Sequence, residues 1–329
     1  MRGRPGHDWR PAAGHPLLRL RARMLADIRG FFAARDVLEV ETPLLGRHTV
    51  TDPHIASYLV PVDHDTPGAT AVRHLQTSPE FAMKRLLAAG SGDIYQICKA
   101  FRRGEAGSRH NPEFTLVEWY RTGFDHLRLM AEVAEVVAML LQRPLSWARR
   151  GYDEVLHEFA GLDPRGASLI ELGARAVELG LHPSTRADMD RDELLDFLFS
   201  TAVQPRLGHD RLDVVDRYPP TQAALARIVD DGSGPVAERF ELFHEGLELA
   251  NGYHELADPG EQRMRMKLDR SRRRVLGLPD CAPDERLLAA LEAGLPECAG
   301  VALGFDRLVM LRSGESDIRR VLAFPYERA

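Results

Sequence analysis

Cysteine is scarce. Cys98, Cys281 and Cys298 are the whole complement, too widely spaced for a CxxC pair, which excludes a disulfide framework and a thiolate zinc site and fits a reducing compartment. Positive charge is not in excess either. A formal net charge of −6 gives no broad basic field for nonspecific nucleic-acid binding and leaves only a local patch open. Long apolar runs are missing: the first twenty residues carry arginines without a signal-type stretch, and Glu132 and Glu135 interrupt the most hydrophobic later segment. A soluble, cytoplasmic protein with no membrane partner is expected. There is no internal repeat, no low-complexity tract and no Walker loop. GSGPVA at Gly232 formally matches a dinucleotide fingerprint, but Pro235 and the lack of a following helix make it a loop. His254 and Glu255 resemble the start of a zinc-protease helix. The second histidine is missing, and Asn251 with Gly252 upstream argues for a turn.

What is present is enough apolar material for a substantial core: 329 residues, 44% hydrophobic and 28% charged. Leu17, Leu20, Met24, Leu25, Ile28, Phe31 and Phe32 recur at helical spacing behind Pro16, predicting a helix that ends near Arg35. VLEVETPLLG then alternates and breaks at Pro43, as an edge or interface strand would. Ser78, Pro79 and Glu80 open a second helix. Segments 94 to 102 and 113 to 121 read as an antiparallel pair joined by a polar loop with Gly104, Gly107, Asn111 and Pro112. A helix over 126 to 141 follows, then a mainly helical stretch at about 146 to 210, read as an insertion rather than a second domain. Strands return at 212 to 217 and 238 to 256. Asp258, Pro259 and Glu261 announce a helix to about Leu276. Hairpin-linked strands mixed with helices, without regular strand-helix alternation, indicate α+β with an antiparallel sheet flanked by helices.

The chemistry-bearing residues fall in three segments: FRRGEAGSRHNPEFTLVEWY (101 to 120), FELFHEGLELANGYHEL (240 to 256) and GVALGFDRLVML (300 to 311). In the second, Glu241, Glu248 and Glu255 recur every seven residues. With His244 and Glu245 as a two-residue turn, and Asn251 and Gly252 as the next, Glu241 would face Glu248 and Glu248 would face Glu255. Like charges opposed across ~4.5 to 5.5 Å call for cations such as Mg²⁺ or a substrate ammonium group; the other reading is solvated hairpin glutamates. Arg102 beside the loop and Arg307 at a helix start could each offer a donor fork to a phosphate. A lone arginine is ordinarily solvated or surface-paired, and Glu118 and Tyr120 share strand parity with core positions. It is the combination that points to an ATP site.

These segments resemble the motifs of class II aminoacyl-tRNA synthetases, most closely the lysyl enzymes. Nearly the whole chain is similar to the free-standing lysyl-tRNA synthetase paralogues that ligate β-lysine to elongation factor P. VLEVETPLL matches motif 1, the segment around Arg102 motif 2, and the segment around Arg307 motif 3. The resemblance implies a catalytic domain over residues 15 to 329, with residues 1 to 14 as a short extension that leaves no room for an anticodon-binding barrel. It implies ATP as co-substrate and Mg²⁺ as cofactor. Arg102 would contact the α-phosphate and Arg307 the far end of the triphosphate, with Arg103, Gly104, Asn111, Leu249 and Gly304 framing the nucleotide. Glu241 and Glu248 correspond to Mg²⁺ carboxylates. Ser78, Pro79, Glu80, Glu118, Tyr120 and Glu255 match the amino acid pocket, where a dicationic lysine or β-lysine would explain the surplus of acids.

Two positions depart from the pattern. Gly104 stands where motif 2 usually has an acid, with Glu105 next, and Ala302 stands where lysyl enzymes tend to have glycine. An added methyl can discriminate by ~1 to 3 kcal/mol, which favours a β-amino acid over α-lysine. Motif 1 implies a homodimer. The acceptor implied is a lysine of elongation factor P, with tRNA a poor candidate. The alternatives are a lysine-activating enzyme that charges tRNA or another acceptor, and a non-catalytic paralogue that binds or regulates.

Overall fold

The structure, a computed structural model, describes residues 9–63 and 70–329. The extension expected over residues 1 to 14 therefore lies partly outside the described residues. In chain order the elements are α1 (His15–Ala33), β1 (Leu38–Glu39), β2 (Leu45–Gly46), β3 (Leu59–Asp63), β4 (Thr70–Leu75), α2 (Glu80–Ala88), β5 (Ile94–Phe101), β6 (Glu113–Thr122), α3 (His126–Leu141) and β7 (Trp147–Gly151). There follow α4 (Tyr152–Ala160), α5 (Leu169–Glu178), α6 (Pro183–Arg186), α7 (Arg191–Leu198), β8 (Leu212–Tyr218), β9 (Ile228–Asp230), β10 (Pro235–His244), β11 (Leu247–His254), α8 (Pro259–Val275), α9 (Glu285–Gly294), β12 (Cys298–Gly304) and α10 (Phe305–Ser313). The chain divides into two compact units. One comprises the N-terminal part through Gly123 with Ala257–Glu297 and Ala302–Ala329; the other comprises Phe124–Leu256 with Cys298–Val301.

In the first unit, Pro16 starts α1 at a position where its missing N–H costs nothing, and α1 buries Met24, Ile28, Phe31 and Phe32. The Phe32 ring stacks on Tyr95 at 4.4 Å and meets Trp119 edge-on at 5.3 Å, which fixes the helix over β5 and β6. Those two strands pair antiparallel without a slip from Ile94↔Tyr120 to Phe101↔Glu113, as their alternation predicts. The two-residue β1 joins β5 in parallel, an edge position consistent with Pro43 breaking the segment that follows. A small antiparallel sheet, β2-β4-β3, stands apart from it.

In the second unit, Asp125 caps α3 by accepting the Arg128 N–H, and α3 buries one broad apolar face. The segment expected to be helical opens on β7, parallel to β8, before running through α4 to α7. Tyr152, Leu156, Leu172, Leu198, Phe199, Tyr218 and Phe243 form its core. Antiparallel β8, β10 and β11 carry the acidic series. The fold is α+β, with β1/β5 and β7/β8 paired in parallel.

The acidic hairpin corrects both expected turns. His244 pairs with Leu247, so Glu245 and Gly246 form the turn, each with positive φ (50° and 68°) as a tight primed turn requires. Glu241 then faces Asn251, and Glu248 faces Phe243 beyond a register shift that leaves Leu249 as the extra residue. Asn251 and Gly252 do not turn at all; both lie inside β11. A Cβ at Gly252 would sit 2.5 and 2.6 Å from Phe240 ring atoms and 3.0 Å from the Gly300 carbonyl. The glycine is there for close packing, not for a turn.

Candidate active site

In the first unit, the loop between β5 and β6 is built around Gly104, whose φ of +90° is strained for any residue with a side chain. That explains why the position expected to be acidic holds glycine and Glu105 follows. The Arg102 main-chain N–H donates to Pro112 O (2.9 Å), closing the loop, and the Arg103 N–H donates to Ala56 O (2.7 Å). The Arg102 guanidinium lies 5.2 Å from the Phe114 ring centroid and 3.9 Å from Glu105, with its Nε buried and without a hydrogen-bond partner. An orphaned guanidinium donor held by an aromatic ring is what an anion ligand would complete. Asn111 is committed inward: its Nδ2 donates to Glu113 O (2.6 Å) and its Oδ1 accepts the Tyr326 N–H (3.0 Å). It shapes the loop and fastens the C-terminal segment to it.

Gly304 caps α10, and Arg307 stands in that helix's first turn, where backbone N–H groups favour anions. Arg307 Nη2 lies 2.7 Å from Nε2 of His110, in the same loop that carries Arg102. The Ser108 carbonyl also accepts the Ile318 N–H. The loop that carries Arg102 and the helix start that carries Arg307 are thus in contact.

Of the residues expected in the amino acid pocket, Glu80 starts α2 with Ser78 and Pro79 just before it, and Glu118 and Tyr120 lie on β6. Glu118, 2% exposed, accepts hydrogen bonds from Ser78 Oγ and from the Tyr120 hydroxyl, each at 2.8 Å. Ser78 Oγ also accepts the Glu80 N–H at 3.0 Å, next to Pro79, which stands at the cap of α2. Glu80 itself is paired with the buried Lys84 at 2.7 Å, so its charge is largely answered within the helix. Ala302 lies in β12, half-buried. Cys98, close to Glu118, has its thiol pushed up to about 12, chiefly by burial and further by that carboxylate, which leaves no thiolate for nucleophilic chemistry.

In the second unit, Glu241 accepts the Tyr218 hydroxyl at 2.8 Å and pairs with Arg239 at 2.5 Å. Burial pushes its carboxyl upward; Arg239 opposes this and the charge of Glu248 adds to it. Register notwithstanding, the two acids sense each other. Hard oxygen donors crowded enough to repel fit a divalent cation such as Mg²⁺. Leu249 is buried, so only its backbone is available to a ligand. Glu255, 4% exposed, is anchored by its main-chain N–H to Cys298 O (3.1 Å) and bridges Ala226.

Sequence reading missed a second cluster. His126, Glu238 and His254 gather their ligand atoms within 4.8 Å of one another. His254 Nδ1 is 3.0 Å from Glu238, and Arg227 grips the same carboxylate. Burial pushes His126 down to about 4. Glu238 is held down to about 2 despite its own burial, by His254, Arg227 and His126. With a guanidinium already on its only carboxylate, the trio is a buried charge network that ties α3 to β10 and β11. No pattern in the sequence joins these three residues, since only the fold brings them within reach.

A family described as tRNA synthetases class II (D, K and N) matches residues 7–328. A protein of Vibrio cholerae named "Elongation factor P--(R)-beta-lysine ligase" is 48% identical over 322 residues, 98% of this chain and 99% of its own length. Proteins of the same name from Pasteurella multocida (47%) and Pseudoalteromonas translucida (48%) likewise cover 98% of each chain.

Proposed function

Since the chain belongs to the class II tRNA synthetases of the D, K and N group, we propose that it activates (R)-β-lysine with ATP and transfers it to a lysine side chain of elongation factor P. It is an ATP-dependent ligase. The observation that carries the substrate assignment is near-half identity, end to end, with ligases of that name.

In the first step a β-lysine carboxylate oxygen attacks the α-phosphorus. An acyl-phosphate bond forms, the α–β bridging bond breaks, and pyrophosphate leaves. Arg102 meets the charge that grows on the α-phosphoryl oxygens, and Arg307 holds the far phosphates. Glu118, kept in place by Ser78 and Tyr120, receives a substrate ammonium group, with Glu255 as the second acid. Glu241 and Glu248 would hold Mg²⁺, which supplies charge neutralisation on the triphosphate when bound. In the second step the neutral ε-amine of the acceptor lysine attacks the acyl carbonyl, the amide forms, and AMP departs with the amine's proton balanced by the phosphate. Positioning and electrostatics suffice, and the raised Cys98 thiol agrees with a mechanism without a covalent enzyme intermediate.

Leu38, Leu44 and Leu45, exposed along the motif 1 segment, support a homodimer whose interface covers them. No described helix is long and apolar enough to cross a membrane, and a cytoplasmic location follows from the proposed partner. The test is pyrophosphate exchange into ATP with α-lysine and β-lysine compared, then transfer of labelled amino acid to elongation factor P or to tRNA. Exchange with β-lysine and labelling of the protein alone are expected, and both are lost in Arg102→Ala. Equal exchange with the two isomers would undo the inference from Ala302, and labelling of tRNA would overturn the acceptor.

A further inference from the structure

Arg307 follows directly on Asp306, a carboxylate only 2% exposed whose two oxygens are divided between two other elements. Its Oδ1 forms an ion pair with Arg21 Nη1 of α1 at 2.5 Å. Its Oδ2 accepts the main-chain N–H of Thr115 in β6 at 2.7 Å. The other end of the guanidinium, Nη2, donates to Thr115 Oγ1 at 2.7 Å, and its central carbon lies 4.8 Å from the ring centroid of Phe305, the residue before Asp306. One planar fork therefore binds the first turn of α10 and the middle of β6 at once, which a lysine, with a single point of charge, cannot reproduce.

We infer that Arg21 is a positioning residue that fixes the first turn of α10 through Asp306 and so sets where Arg307 points; the inference rests on Arg307 being a phosphate ligand. Strand β6 is paired to β5 along its length, from Glu113 to Tyr120, and keeps its place without Arg21. The first turn of α10 begins at Phe305, where β12 has ended at Gly304, so strand pairing stops short of Asp306 and Arg307. A buried carboxylate that loses its cation must rehydrate or find another partner. The cheapest route is a swing of the turn that carries it. Arg307 moves with that turn, whereas Ser78, just before α2, and Glu118 and Tyr120, on β6, do not.

The consequence is a split between substrates. Arg21→Gln should raise KM for ATP in pyrophosphate exchange about ten-fold, leaving KM for β-lysine within about two-fold and kcat within about three-fold. Arg21→Lys, able to reach Asp306 but not Thr115 as well, should recover part of that loss. Thr115→Val keeps the main-chain donor and removes only the Oγ1 acceptor; it serves if Arg21→Gln does not fold, and should raise KM for ATP about three-fold. Joint elevation of both KM values, or a lowered melting temperature with KM for ATP unchanged, would reduce Arg21 to a structural ion pair and overturn the inference. Should the wild-type protein give no exchange with any amino acid, the proposed function fails separately. Calorimetric titration of wild type and Arg21→Gln with ATP and Mg²⁺ then decides: about ten-fold weaker binding supports the positioning role, and equal binding refutes it.

Discussion

Glu118→Gln isolates charge from shape. The carboxylate is buried and receives two hydroxyl hydrogen bonds, from Ser78 and Tyr120, both 2.8 Å long. Glutamine has nearly the same volume, one of its two terminal atoms is still an acceptor, and hydroxyls can rotate to accept from its NH₂. The cost to folding should therefore stay small. What disappears is the negative charge proposed to receive the substrate ammonium group. A hydrogen bond to a charged group contributes about 1.5 to 3 kcal/mol, so KM for β-lysine should rise roughly 10- to 150-fold while KM for ATP holds within two-fold. Pyrophosphate exchange with each substrate varied in turn reads both constants. A second signal needs no turnover: the Cys98 thiol, raised by burial and then by Glu118, should titrate lower in the variant when followed by alkylation against pH. An unchanged KM for β-lysine, or equal losses for β-lysine and ATP, would refute the assignment of Glu118 to the amino acid.

The His126 network makes stability depend on pH. Its folded value of about 4 lies below the usual 6.5, so the unfolded chain binds the extra proton and stability falls as pH drops from 6.5 towards 4, by about 2 kcal/mol at pH 5. Urea unfolding at pH 7 and 5 should show this loss in wild type and a smaller one in His126→Leu; identical pH dependence would contradict it. Glu238, held down to about 2, adds a further loss between pH 4.5 and 2. Gly252→Ala drives a methyl into the Phe240 ring and should cost about 1 to 3 kcal/mol, visible as a lowered melting temperature; a neutral substitution would mean that β11 turns after all. Chelation with EDTA should abolish exchange and added Mg²⁺ restore it, with Glu248→Ala requiring at least about ten-fold more Mg²⁺; chelator-resistant exchange would remove the metal from the scheme.

The elements with strong local signals were legible in the chain. Pro16 and the Asp258-Pro259-Glu261 run begin helices where they should, and the alternation of 94 to 102 and 113 to 121 gives the observed antiparallel pair. The acidic hairpin failed for an identifiable reason. Asn-Gly is the strongest short turn signal, but it reports only that the backbone can turn, and at Gly252 the missing side chain is needed by the Phe240 ring instead. Glu245 accepts a left-handed φ of 50° with Gly246 after it, a weaker signal that tertiary packing selected. The Arg21–Asp306 and His126–Glu238–His254 groupings join residues far apart in sequence. Helical or strand periodicity cannot foresee them.

Surplus acidity, taken from the sequence as the mark of a dicationic substrate, becomes more selective once partners are assigned. Glu80 spends its charge on Lys84, and Glu241 is held by Arg239 and Tyr218, so neither adds a full negative charge for a lysine-like ligand. Glu118 accepts hydrogen bonds from two hydroxyls, which fix the orientation of its carboxylate. The distinction explains the two jobs asked of the same residue type. An acid pushed upward by burial and by a neighbouring acid and buttressed by a cation, as Glu241 is beside Glu248 and Arg239, is suited to a metal that relieves the repulsion. An acid whose orientation is fixed by hydroxyl donors, as that of Glu118 is, can present its carboxylate to an ammonium group. On this reasoning Glu80→Gln should perturb α2 by removing the carboxylate that pairs with the buried Lys84, and lower stability more than it alters KM for β-lysine, the reverse of Glu118→Gln. Melting temperature and KM measured on the two variants side by side would expose the error if both substitutions shifted the same quantity.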